Sequence, residues 1–106
     1  VEQASEQELA DATALADRGG LFNCPHTGVA LACLHKFVDR GQIKGGDRVV
    51  VISTAHGLKF TNAKLAYHSG ELPDVAPTHA NRFVELAPQR EAVYDAVMQH
   101  VEANAL

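Results

Sequence analysis

Two short polar clusters hold the side chains best placed to do chemistry: Cys24-Pro25-His26-Thr27 and Ser53-Thr54-Ala55-His56. The imidazoles of His26 and His56 can act as acids or bases when exposed. The hydroxyls of Thr27, Ser53 and Thr54 can donate or accept hydrogen bonds. Neither cluster places a nucleophile beside an activating base. The second cluster follows Arg48-Val49-Val50-Val51-Ile52, a β-branched run without a polar face, which reads as a strand covered on both sides. In open α/β sheets ligands collect outside the carboxyl ends of strands, so Ser53 onward is where a site is sought. A polar strand-to-helix turn with no ligand is the plainer alternative.

Cys24-x-His26 and Cys33-x-His35 have the look of paired metal ligands. Residues two apart on a helix lie roughly 200° apart around its axis, so Cys33 and His35 cannot face one ion. The expectation is an outward His35, a small core residue at Cys33, and no metal site. The glycines match no phosphate-binding loop. Lys59 can reach an anion or remain solvated, and His68, His79 and His100 fall in segments read as exposed.

The elements that must position the clusters follow from local signals. Ser5 and Glu8 form a capping box that opens a helix from about Glu6 to Arg18, stopped by Gly19-Gly20. Leu9, Ala12, Leu15 and Ala16 give it a narrow apolar face. Leu21 to Cys24 reads as a brief strand, and a helix from Thr27 or Gly28 to Asp39 carries Ala30, Cys33, Leu34, Phe37 and Val38 at spacings of three and four. After Gly45-Gly46-Asp47 comes the strand Arg48 to Ser53. Strand, helix, strand is a βαβ unit whose crossover should be right-handed, with both polar clusters at one sheet edge. Free N–H groups at the start of the second helix would point into that crevice. Thr61 to Ser69 reads as a short helix with its lysines outward and Leu65 inward. The prolines at 73 and 77 make an irregular segment, Arg82 to Leu86 a marginal edge strand, and Pro88 the first residue of a last helix with the stripe Val93, Val97 and Val101.

Composition bounds the function class. A chain of 106 residues, 46% hydrophobic and 21% charged, has the make-up of one small globular domain. Without tryptophan and with one methionine and four phenylalanines, its core should be shallow. A net charge of −4 offers no basic stripe, so nucleic acid is not an expected partner. No stretch approaches the roughly 18 apolar residues of a membrane span, and the N-terminus lacks a secretory pattern. The expected setting is therefore soluble and cytoplasmic, with both cysteines reduced. Opening on Val1 directly before a helix, the chain reads as a piece of something longer.

Cys24-Pro25-His26-Thr27-Gly28-Val29-Ala30-Leu31, followed by Ser53-Thr54-Ala55-His56-Gly57-Leu58-Lys59-Phe60, resembles the C-terminal portion of the threonine synthase family. The likeness continues through Ala66-Tyr67-His68-Ser69 and Leu72-Pro73-Asp74. It implies a fold type II enzyme dependent on pyridoxal 5′-phosphate, converting O-phospho-L-homoserine and water to L-threonine and phosphate. The implied fold is α/β, a βαβ-containing three-layer α/β/α segment. The whole chain, 1–106, would be a single C-terminal domain or fragment. By the resemblance, Thr54 meets the pyridine nitrogen, and Ser53, His26 and Thr27 border the cofactor ring or the substrate. A neutral hydroxyl can meet that nitrogen without forcing its full protonation. The family's Schiff-base lysine and its phosphate-cradling loop lie in motifs absent here, so no catalytic residue is assigned and the chain alone is expected to be inactive. The implied partners are O-phosphohomoserine, the remainder of the same enzyme and a second copy in a homodimer, in a plastid if the source is a plant. Another fold type II enzyme acting on a serine or threonine derivative is a neighbouring reading. A free-standing βαβ ligand-binding or interaction module without catalysis is the alternative of a different class.

Overall fold

The computed structural model describes residues 1–105. Four α-helices carry the chain: α1 (Glu6–Arg18), α2 (Pro25–Asp39), α3 (Thr61–Ser69) and α4 (Arg90–Ala103), with a 3-10 turn over Gly57–Phe60 ahead of α3. The capping box is present in full. The Ser5 hydroxyl accepts from the Glu8 N–H while the Glu8 carboxylate accepts from the Ser5 N–H. Helix α2 begins two residues before Thr27, because Pro25 needs no N–H partner at the first helical position and its ring presets the helical φ. Arg40 caps α2, and Gly41 beyond it takes the left-handed φ of +71° that turns the chain away. Pro88 precedes α4 instead of starting it, since Gln89 is the N-cap.

The expected βαβ-containing three-layer α/β/α arrangement is not present. Among the described residues there is no strand, only one isolated bridge between Asn23 and His56, and that bridge is antiparallel. Its two backbone bonds run from the Gly57 N–H to the Phe22 carbonyl at 2.9 Å and from the Cys24 N–H to the Ala55 carbonyl at 3.3 Å. The first predicted strand therefore meets not the second but the polar cluster beyond it, at a single residue pair and in opposite directions. The physical reason lies in partners. A β-branched run has a strong preference for extended backbone, yet a ladder needs a second extended segment alongside it. Residues 48–52 have none, which leaves Val50 90% and Ile52 74% exposed. The segment Arg82 to Leu86 is likewise unpaired and exposed.

The packed part of the molecule is the crossing of α1 and α2, with α3 set against α1. The α1–α2 seam is made close by small residues. Ala12, Thr13, Gly28 and Ala32 are all buried, and a Cβ added at Gly28 would fall 2.0 Å from Thr13 Oγ1. On the other side of α1, Ala10 and Ala14 meet Tyr67 of α3 and Val75, with Leu72 at the edge. The following segment is strapped onto α1 by polar bonds. The Gln7 amide exchanges two 2.8 Å bonds with Ala76, and Asp11 accepts from the Tyr67 hydroxyl at 2.5 Å and the Thr78 N–H at 3.4 Å. Helix α4 buries no residue. This uneven packing gives a radius of gyration of 16.2 Å, against about 13 Å for a compact chain of 100 residues.

Candidate functional site

The site is assembled from the two ends of the bridge. Cys24 is the N-cap of α2 and is completely buried. Its backbone is held on both sides, the N–H by the Ala55 carbonyl and the carbonyl by the Gly28 N–H at 3.2 Å. Its Sγ lies 3.4 Å from Thr27 Oγ1 and 3.4 Å from Thr54 Oγ1. The Thr54 N–H donates back to Thr27 Oγ1 at 3.3 Å, closing a triangle of three side chains. Beside it, the Ser53 hydroxyl donates to Asn23 Oδ1 at 3.0 Å. Thr27 is 2% exposed, whereas Ser53 and Thr54 lie at the surface. The arrangement sets the exposed residue Thr54 on a buried support, its hydroxyl in a part-buried contact with the Cys24 sulfur.

Three of the four residues read as a cofactor border, Thr27, Ser53 and Thr54, are thus brought together. His26 stands slightly apart. It is exposed on the first turn of α2, its ring set edge-on to Phe60 at 5.5 Å between centroids. His56 is exposed too, but its Nδ1 accepts from the Leu58 N–H at 3.1 Å and so caps the 3-10 turn. Asn23 and Cys24 are the residues whose part in the site their types alone did not announce. The signal for them is positional, since each is the bridge-side neighbour of a predicted hydroxyl residue.

The thiol of Cys24 is electrically unusual. Burial works to raise its pKa, but hydrogen bonds from the Thr27 hydroxyl, the Thr54 hydroxyl, the Thr27 N–H and His26 outweigh it and bring it down to about 6. Cys33 is half-buried on α2, and His35 points outward as expected. Among the described residues no group of three His, Cys, Asp or Glu side chains converges on a metal position, and no helix is long and apolar enough to cross a membrane.

Directly behind the bridge lies an ion pair that hydropathy pattern placed outside. Lys64 of α3 is 8% exposed, and its Nζ donates to Asp17 Oδ2 at 2.6 Å. The same ammonium sits 4.2 Å above the Phe22 ring, and Asp17 Oδ1 accepts from the Asn23 N–H. The expectation of outward lysines and an inward Leu65 on this helix is reversed, with Leu65 44% exposed. His68 and His79 are also half-buried instead of exposed. His68 Nδ1 accepts from the Asn81 N–H at 3.0 Å.

No protein-family model matches the chain. Over 104 residues, which is 98% of its length, it is 49% identical to threonine synthase 2, chloroplastic, of Arabidopsis thaliana, and it spans 20% of that protein. The matched stretch includes both arms of the triangle, Cys24 to Thr27 and Ser53 to His56, since only two of the 106 residues fall outside it. Homology at this level along almost every residue places the chain in the threonine synthase family, as a segment one fifth the length of the relative it matches.

Proposed function

We propose that this chain is part of a threonine synthase that converts O-phospho-L-homoserine and water to L-threonine and phosphate, and that it supplies one wall of the active site. The observation that carries the reading is the surface residue Thr54, its hydroxyl held against buried Cys24, within a sequence 49% identical to a threonine synthase. Pyridoxal phosphate, when bound, supplies the electron sink for the reaction. The residues present fit one edge of that group. Thr54 offers a neutral hydroxyl to the pyridine nitrogen, its single proton free for it when Cys24 is the donor in the Sγ–Oγ1 contact, while Thr27 holds the Thr54 backbone and Ser53 is anchored on Asn23. His26 and His56 stand exposed nearby in sequence, able to exchange protons with substrate or water.

The chain does not supply the covalent anchor in this reading. Lys64 is committed to Asp17, and Lys36 is paired with Glu8 at 2.7 Å. Lys44 and Lys59 lack the sequence context of the family's anchoring lysine. The remaining parts come from the rest of the enzyme. The exposed apolar side chains of Val50, Ile52 and Val84 support that association, because each is a large apolar group with no cover within this chain. A homodimer in a plastid or the cytoplasm completes the reading.

Phosphate release from O-phosphohomoserine tests it. Protein of the relative's length carrying this segment should release phosphate, and Thr54→Val should slow release about tenfold, the worth of one hydrogen bond to a reacting group. The 106-residue chain alone should release none and, on borohydride treatment with the cofactor, should give no stoichiometric adduct on a single lysine. Turnover by the chain alone would refute the division of labour.

A further inference from the structure

We propose that Cys24 is a positioning residue for Thr54, fixing which face of the threonine side chain, hydroxyl or methyl, is turned toward the ligand. The inference rests on the reading above that Thr54 meets the cofactor ring. Threonine is stiff about χ1, but its staggered wells interchange hydroxyl and methyl, so an exposed threonine at the end of an extended segment needs a contact to select one. Among the described residues that contact is Cys24 Sγ, 3.4 Å from Thr54 Oγ1.

Cys24 is fitted for the task by its own immobility. Its side chain is fully buried, its backbone is bonded on both sides, and Thr27 Oγ1 holds the sulfur from a second direction. Because Thr27 Oγ1 also takes the Thr54 N–H, the backbone and the side chain of Thr54 are referred to the same rigid first turn of α2. Rotating the Thr54 hydroxyl away would leave a buried sulfur with one partner fewer, a cost that falls on the wrong rotamer only.

Three-bond couplings to the Thr54 methyl carbon in the isotopically labelled chain give the rotamer directly. The expected result is one staggered rotamer in the parent chain, its loss to a rotamer-averaged value in Cys24→Ala, and its return in Cys24→Ser, with Cys33→Ala as the control that leaves it unchanged. Thr54 averaged in the parent chain, or a single rotamer retained in Cys24→Ala, overturns the proposal. If Cys24→Ala does not fold, the Ser variant still decides, because a hydroxyl there must keep the parent rotamer. In protein of the relative's length, Cys24→Ala should lower kcat with KM unchanged and Cys24→Ser should recover it. Should the rotamer follow Cys24 while Thr54→Val leaves kcat intact, the positioning stands and the cofactor reading fails.

Discussion

Replacing Gly28 with alanine probes the glycine position with least room for a Cβ and, through it, the site. The new Cβ would sit 2.0 Å from Thr13 Oγ1, 2.7 Å from the Leu9 carbonyl oxygen and 3.3 Å from Thr13 Cβ. Thr13 can swing its hydroxyl aside only by giving up its 2.7 Å bond to that same carbonyl. The carbonyl itself is helix backbone and cannot move alone. Helix α2 must therefore shift off α1, an overpacking cost at the upper end of the usual range, about 3 kcal/mol. Alanine returns about 1 kcal/mol through its better helix propensity. The net loss of about 2 kcal/mol corresponds to a fall in Tm of roughly 8–16 °C for a chain of this size. Thermal melts followed by far-ultraviolet circular dichroism read it. Adding Thr13→Ala should recover part of the loss by removing the nearest atom, leaving the share due to Leu9. Because Thr27 precedes Gly28, the same shift should also loosen the Thr54–Thr27 bond and raise the Cys24 pKa. A neutral or stabilising Gly28→Ala would refute the reasoning that this seam is backbone-limited.

Three further outcomes follow from the same contacts. Lys64→Ala leaves the Asp17 carboxylate without its cation and strips the Phe22 ring of its neighbour, so denaturant unfolding should show a loss of about 3 kcal/mol. In a Cys33→Ser background, thiolate absorbance should report Cys24 titrating at about 6, with Thr54→Val moving the midpoint upward. Its folded value being depressed, the stability it contributes is fully present above the ordinary thiol range and is lost as pH falls through about 6. Tyr67→Phe removes the hydroxyl that donates to Asp11. Burial raises the Asp11 pKa, but bonds from Tyr67, Gln7 and Thr78 outweigh it and hold the value low. Stability from Asp11 is thus present above the ordinary carboxylate value and lost as pH falls through the depressed one, so the variant should unfold in acid at a higher pH than the parent.

The helices were legible because their signals are local. The Ser5–Glu8 box, the Gly19 stop and the bounds of Thr61–Ser69 all follow from residues within a few positions of one another. The strands were not, because a strand is a property of two segments. The run Val49 to Ile52 has the composition of buried extended backbone but no partner among the described residues. The reversal of Lys64 and Leu65 has a similar origin. Periodicity assigns a lysine to solvent, and only the fold reveals that Asp17 of α1, 47 positions earlier, lies where it can pair with it. The meeting of the two polar clusters was legible in outline, although a single antiparallel bridge brings them together and not a shared edge of parallel strands. Family likeness carried the hydroxyl residues, whereas the buried support of Cys24 and Asn23 emerges only from the geometry.

What the Thr54 hydroxyl faces decides whether this segment walls a cofactor site. The most direct test is the ¹⁵N resonance of ring-labelled pyridoxal phosphate bound to protein of the relative's length, compared between the parent sequence and Thr54→Val. A clear displacement of that resonance is expected when the hydroxyl is removed, with the cofactor still bound. An unchanged ring-nitrogen resonance in Thr54→Val would contradict it.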